Sequence, residues 1–320
     1  MIGLIADIGG TNARFALADE RGRVRDSVKL ATAAFPSLAD AVDAALARLA
    51  PHTPPTAAVI AIAAPIVGCT ARMTNGSWEV DRAALAARFG WRSCRVINDF
   101  AAIAHAIPRL AADGLLTPLD APEAPWRHEH TRLVLGPGTG LGVAVVQERE
   151  TPQGGVFVQA TEAGHVSFAP ESVEEWALAQ DLAARFGRVS AERILSGSGL
   201  LTLYRRLGGK QAQTPEAVAE DARGGVEPAR AAALWFLDIL ARFAGDMVLA
   251  HGAWGGVLLT GGVWQGLSPL VDPARFRRLF AAKGRYRPLL ARTTLASIDH
   301  ADPGLVGSAR LLGDLLQEER

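Results

Sequence analysis

Cysteine is almost absent from this chain. Its 320 residues include two, Cys69 and Cys94, in no CxxC pair. A disulfide framework and a cysteine-based zinc knuckle are both excluded, and a reducing compartment is the expected setting. Lysine is nearly as scarce: Lys29, Lys210 and Lys283 are the full set. None is followed by Ser or Thr, so the GxxxxGK[ST] phosphate loop is missing, and the glycine run at 136–142 does not follow GxGxxG. The HRD and DFG triplets of protein kinases are absent, as is HExxH. His128 and His130, beside Glu129 in a polar loop, read as solvated residues rather than metal ligands. Formal net charge is zero and the pI is near 7.1, which argues against nucleic-acid or anionic-membrane binding by bulk charge. Long apolar runs are lacking too. The most apolar stretch, 57–71, is broken by Pro65, Gly68 and Thr70 and falls short of the ~18 residues a membrane span needs. The apolar start carries no basic region, so no secretory leader is expected. Together these absences predict a soluble cytoplasmic protein with neither nucleic acid nor membrane as partner.

Apolar residues make up 49% of the chain, enough for a large core, and the length suits two domains better than one. One strand–turn–strand pattern occurs twice, through Ala6-Asp7-Ile8-Gly9-Gly10-Thr11 and through Gly136-Pro137-Gly138-Thr139-Gly140. Glycine lets a backbone approach a ligand closely. Successive turn N–H groups with a Thr hydroxyl form a concavity that suits phosphate oxygens. One such hairpin would carry little. The repeat carries more, as does Asp7, whose carboxylate after an apolar strand needs pairing or solvent. Both point to two related halves facing one polyphosphate.

The periodicity around the turns predicts strands at 2–6, 14–18 and 23–30, then a helix capped by Ser37 and ending at Leu49. A strand buried on both faces follows at 57–63, then a helix at 82–89 between Asp81 and Gly90, a strand at 94–97, and a helix from there to 107, before Pro108. The second half opens alike, with strands at 132–135, 141–147 and 155–160. Helices are expected at 173–186, at 191–207 with a break at 196–199, and from Pro228 to His251. A strand at 256–260, the pair Gly261-Gly262 and a closing strand–helix unit complete the chain. The expected fold is α/β: two βββαβαβα units, the second enlarged by helices, with the proline-bearing loop at 121–125 as the better candidate for a junction.

Ligands of open α/β sheets bind beyond the carboxyl ends of the strands. Asp7, Asn98-Asp99, the run 136–142 and Gly261-Gly262 all follow strands, so they are expected to converge on one interdomain cleft. Asp99 has two readings there: a helix cap, or an acceptor for the proton of a hydroxyl that attacks phosphorus. Thr161-Glu162-Ala163-Gly164-His165 is a second polar group after a strand. Glu192, taken singly, reads as a first-turn helix residue behind a Ser190 cap.

In this order, Asp7-Ile-Gly-Gly-Thr-Asn12, Asn98-Asp-Phe100, Gly138-Thr-Gly140, Glu162-Ala-Gly-His165, Ser190-Ala-Glu-Arg-Ile-Leu-Ser-Gly197 and Gly261-Gly262 resemble the bacterial glucokinases of the hexokinase/actin-like superfamily. The resemblance covers nearly the whole chain, including Pro303-Gly-Leu-Val-Gly307. It implies two actin-like (ribonuclease H-like) domains, a small one of 1–107 plus 300–320 and a large one of 108–299. It also implies ATP-dependent phosphorylation of the glucose 6-hydroxyl in glycolysis, with Mg2+, by a homodimer. Asp99 matches the catalytic base, and Asn98, Asp99, Glu162, His165 and Glu192 the sugar ligands. Ala6, Asp7, Ile8, Gly9, Gly10 and Thr11 match one phosphate loop, with Asp7 near the metal through water. Gly138, Thr139 and Gly140 match the second loop, and Gly261-Gly262 the adenosine side. A kinase for another hexose, or a sugar-sensing regulator without activity, are the rival readings. Ala6 and Ala163 depart from the family's usual glycines. A demand for positive φ at position 163 would strain the loop. The cysteine-rich zinc motif of the related repressor/open-reading-frame kinases is missing.

Overall fold

Alternating small and branched apolar residues build the first sheet. In the computed structural model, which describes residues 1–73, 78–120, 131–148 and 155–318, β1 (Ile2–Ile8), β2 (Asn12–Asp19) and β3 (Val24–Ala31) form an antiparallel meander. The loop with His128 and His130 and the expected junction at 121–125 lie outside the described residues. α1 (Leu38–Leu49) starts at Ser37, whose Oγ accepts from the Asp40 N–H. β4 (Ala57–Ile62) runs parallel to β1 and is buried throughout. Both of its faces are covered: Ala58, Ile60 and Ile62 join one core with Leu4, Ala6 and Ile8, while Ala57 and Val59 join another with Ile5. β5 (Ile66–Val67), β6 (Thr70–Arg72) and β7 (Glu79–Asp81) form a small separate sheet, too short to show a period in the sequence. α2 (Arg82–Phe89) is capped by Asp81 and closed by Gly90 in the left-handed region. β8 (Ser93–Asn98) lies parallel to β4 and leads into α3 (Asp99–Ala112). The sheet order is β3-β2-β1-β4-β8.

The same connectivity recurs. After β9 (Leu116–Pro118) come β10 (Arg132–Pro137), β11 (Leu141–Glu148) and β12 (Val156–Thr161). Four helices follow: α4 (Val173–Phe186), α5 (Gly197–Arg206), α6 (Pro215–Arg223) and α7 (Ala229–His251). Then come β13 (Gly256–Leu259), α8 (Gly262–Leu267), α9 (Pro273–Phe280), α10 (Arg287–Leu290) and β14 (Leu295–Ile298). The order β12-β11-β10-β13-β14-β9 repeats the first sheet and adds β9 at the edge. β10 is antiparallel to β11 and parallel to β13, as β1 is to β2 and β4. Phe236, Leu240, Ala244 and Val248, one turn apart on α7, share a core with Leu133 and Leu135 of β10.

The chain divides into two units, one of Met1–Leu115, Val158–Ala160 and His300–Arg320, the other of Leu116–Phe157 and Thr161–Asp299. The closing helix α11 (Pro303–Glu318) therefore belongs to the first. Its Leu305, Ala309, Leu312 and Leu316 cover Ile5, Ala57 and Val59. This packing also corrects the expected end of α3. A proline removes an intrahelical donor at a cost of about 3 kcal/mol, yet α3 runs on past Pro108 to Ala112. Buried Ala102, Ala106 and Leu110 hold it on both sides of the proline, with Gly307 of α11 against Ala102 and Arg310 reaching the His105 carbonyl at 3.3 Å. No helix among the described residues is long and apolar enough to cross a membrane.

One buried charge braces the helical layer of the second unit. Glu175 on α4 is 2% exposed. It accepts from Trp235 Nε1 at 3.2 Å, from the Glu171 N–H at 2.8 Å, and from the Arg242 guanidinium. Glu175→Ala should destabilise this unit by about 3 kcal/mol, the scale for stranding one partner of a buried ion pair. Urea unfolding followed by tryptophan fluorescence checks this, and an unmoved midpoint would show the network to be energetically idle.

Candidate active site

Three parallel strands of the first sheet end level with one another. Ile8 stands beside Ile62, and Ile62 beside Asn98, so the chain leaves the sheet at Gly9, Ala63 and Asp99 along one rim. The Gly9 N–H donates to the Asn12 carbonyl at 2.9 Å and closes the first turn. Thr32 fixes it from the side, donating its hydroxyl to Gly10 O at 2.8 Å and its N–H to Thr11 O at 3.1 Å. Thr11 is exposed. Ala6 and Ile8 turn their side chains fully into the core, so what they offer a ligand is backbone, and Ala6 sits in the strand without strain.

Asp7 points away from that core, towards the start of α11. A Cβ on Gly304 would stand 2.9 Å from its Oδ2. Arg14 and Asp302, joined at 2.7 Å, accompany it. Burial pushes the Asp7 carboxyl up to about 6, with Arg14 opposing the rise and Asp302 adding to it. A carboxylate held against ionisation gains from an incoming cation. Among the described residues, no group of three His, Cys, Asp or Glu side chains is placed to cage a metal. The single buried carboxylate of Asp7 is an oxygen donor of the kind that fits an ion taking its other ligands from water and phosphate, as Mg2+ does.

The structure decides which of Asn98 and Asp99 caps the helix. Asn98 is the cap: its Oδ1 accepts from the N–H groups of Phe100 and Ala101 at 2.9 and 3.1 Å. Its Nδ2 donates one N–H to the Ala64 carbonyl at 3.4 Å, and the second N–H of that amide is the donor it can offer a ligand. Asp99 is the first residue of α3 and half-buried. The Phe100 N–H donates to its Oδ1 at 2.9 Å.

The second unit gathers the other polar group. Thr161 Oγ1 donates to the Val143 carbonyl at 2.7 Å and anchors the end of β12. A 3₁₀ turn, Ala163–His165, follows. Among the described residues the one non-glycine with positive φ is Ala50, so Ala163 adopts an ordinary conformation and the feared strain does not arise. The demanding position is Gly164, where a Cβ would lie 2.0 Å from the Leu141 carbonyl. The expected helix at 191–207 is two elements: a 3₁₀ turn, Ala191–Arg193, and then α5, capped by Ser196. Glu192 is thus no residue of a regular helix. Its Oε2 accepts from the Leu141 N–H at 2.9 Å. His165 stands between the two carboxylates, 3.7 Å from Glu162 and 3.9 Å from Glu192. Those separations exceed hydrogen-bond length, so the carboxylates keep acceptor capacity for hydroxyl donors.

The second glycine turn adjoins this group. The Gly138 N–H donates to Gly140 O at 2.8 Å, and Gly197 N–H to Gly138 O at 2.8 Å, while Thr139 is exposed. Gly261, with φ of 96°, and Gly262, which opens α8, lie against Pro137 and Gly138. The profile of the family described as Glucokinase matches residues 4–314. The chain belongs to the glucokinase family. It is 41% identical to the glucokinase of Chromohalobacter salexigens, with 97% of each chain covered. It is 37% identical to that of Stenotrophomonas maltophilia strain R551-3, covering 97% of this chain and 95% of the other. Against the crystal structure of a glucokinase from an Antarctic psychrotroph the identity is 30% and the TM-score 0.80, over 98% of this chain and 99% of that one. The α/β fold is accordingly the actin-like one.

Several contributors escaped sequence reasoning: Thr32, Arg14, Asp302, the Leu141 N–H and Gly164. Each acts through a contact across the fold and carries no local signal. Gly140 did attract notice, as a phosphate-turn residue, but its neighbour is a carboxylate. A Cβ there would meet Glu192 Oε2 at 2.5 Å. Gly140→Ala should push Glu192 off the Leu141 N–H and raise the glucose KM about tenfold, the scale of one charge-assisted hydrogen bond. Steady-state kinetics at saturating ATP test this, and a change confined to the ATP KM would show that Glu192 is not the residue disturbed.

Proposed function

We propose that this chain transfers the γ-phosphoryl group of ATP to the 6-hydroxyl of glucose, giving glucose 6-phosphate, with Asp99 as general base. Membership of the glucokinase family supports the reaction. The Leu141–Glu192 hydrogen bond carries the assignment of roles. Through it one segment of backbone holds both a carboxylate of the polar group and a glycine turn of the kind that takes phosphate. Glu162, His165 and Glu192 then receive sugar hydroxyls, charged acceptors giving the stronger hydrogen bonds. The Asn98 amide adds a donor. Asp99 accepts the proton of the 6-hydroxyl as that oxygen attacks phosphorus.

The turns at 6–11 and 138–140 offer N–H groups and the Thr11 and Thr139 hydroxyls to the phosphates, and Gly261-Gly262 the approach to adenosine. Asp7 would hold a water of Mg2+. When bound, the ion offsets charge on the β- and γ-phosphates. Positioning and charge compensation supply most of the rate in such transfers. The family resemblance further supports a cytoplasmic homodimer working in glycolysis. An ADP-release assay over a panel of hexoses tests the proposal. Higher kcat/KM on mannose, fructose or an N-acetylated sugar would move the substrate, and sugar binding without ADP release would make the protein a sensor.

A further inference from the structure

Helices α4 and α5 line a cavity of about 480 Å³ in the second unit. Arg185, Arg193, Arg205 and Arg206 border it, and Asp181 is the acid among its lining residues. Asp181 takes Arg206 at 2.5 Å. Among the described residues, Arg185, Arg193 and Arg205 have no carboxylate partner. Two of them stack instead on Phe186, with guanidinium carbons 5.1 Å (Arg185) and 4.0 Å (Arg193) from the ring centroid. Stacking orients a guanidinium plane and leaves its N–H edge available to oxygens. Leu178, Leu182 and Leu201 give the cavity an apolar lining, while the hydroxyls of Ser198 and Thr202 are engaged with Ser196 Oγ and the Ser198 carbonyl.

Arginines in the last turn of a helix ordinarily complement its carbonyl end. Arg185 does so on α4, and Arg205 and Arg206 on α5. That accounts for only part of the charge. Half a negative charge at each helix end, together with Asp181, leaves an excess of about two positive charges, and Arg193 lies in neither helix. A planar cationic fork matches phosphate oxygens two at a time, and the volume is that of a small-molecule site. The site is also wired to the polar group. Arg193 follows Glu192 in one 3₁₀ turn, and the Gly197 N–H at the start of α5 holds the Gly138 carbonyl.

We propose that this cavity is a second anion site that binds phosphomonoesters, and that its occupancy changes glucose affinity through residues 192–202. The coupling rests on the role proposed for Glu192; the anion site does not. Calorimetric titration of the full chain with glycerol 2-phosphate, at low ionic strength with glucose and a non-hydrolysable ATP analogue saturating, tests the site while the phosphate turns are filled. Arg185→Gln/Arg205→Gln changes two exposed side chains and should leave basal kcat unchanged. The double variant is expected to bind the ester at least about tenfold more weakly, and sodium chloride at matched ionic strength should give no comparable heat. No binding by the wild type, equal affinity in the variant, or the same heat from chloride overturns the site. In steady state the ester should shift the wild-type glucose KM by about fivefold, a typical coupling, and leave that of the variant alone. An equal shift in both, or none in either, overturns the coupling. If the chain phosphorylates no glucose at all, the calorimetry still decides the anion site.

Discussion

Asp99→Asn should lower kcat at least about 100-fold, the usual scale for a lost general base, while glucose affinity stays within about tenfold because one hydrogen bond is weakened rather than removed. The geometry makes this substitution unusually clean. Asn98 caps α3 through Phe100 and Ala101, so the helix start does not depend on Asp99. An asparagine at 99 can still accept from the Phe100 N–H as Asp99 does. The melting temperature should therefore hold while turnover collapses. Asparagine keeps the shape of aspartate and its hydrogen bond but is a far weaker base. A folded variant with near-wild-type kcat would leave Asp99 only a structural role. Glucose binding, measured by calorimetry without ATP, separates a lost base from a lost sugar ligand.

Asp7→Asn should move activity and stability in opposite directions. Burial holds the Asp7 carboxyl at about 6 against an ordinary 3.8. The folded apo protein therefore keeps the proton over a range in which the unfolded chain releases it. Folding stability contributed by this group falls as pH rises from about 4 to about 6 and stays low above that, by about 3 kcal/mol from the size of the shift. Asparagine has no such titration. Without ligands the variant should melt with the wild type near pH 4 and several degrees higher at pH 7.5. Parallel melting curves across that range would mean that Asp7 ionises in the fold without cost. With Mg-ATP the sign reverses. Loss of the carboxylate should cut kcat/KM for Mg-ATP about 100-fold, the scale for removing one electrostatic contact to a transferring group, and raise the magnesium needed for half-maximal rate. If glucose KM alone responded, the first glycine turn would not be a phosphate loop.

What could be read from the residue order was local or periodic. Ser37 and Asp81 cap their helices because a short side-chain oxygen reaches the N–H groups two or three residues on, wherever the helix lies in the fold. Ala57–Ile62 declares a strand covered on both faces, since an apolar run without alternation has no side left for water. The doubled glycine turn announced a duplicated unit, and sheet orders β3-β2-β1-β4-β8 and β12-β11-β10-β13-β14 repeat one connectivity. The β5–β7 sheet and β9 went unread because two- or three-residue strands have no period to detect.

The tertiary structure decided what each side chain meets. Pro108 stays inside α3 because packing against α11 outweighs a single missing donor. Gly164 is needed for the close approach of Leu141, from a strand more than twenty residues earlier, and not for an unusual φ of its own. Asp7 becomes hard to ionise only when α11, from the far end of the chain, closes over it. Glu192, locally an ordinary helix-start carboxylate, is bound to the Leu141 N–H across fifty-one positions. Sequence determines residue chemistry and short-range hydrogen bonding. Burial and distant partners, which set a carboxylate's charge and its neighbours, exist only once the chain has folded.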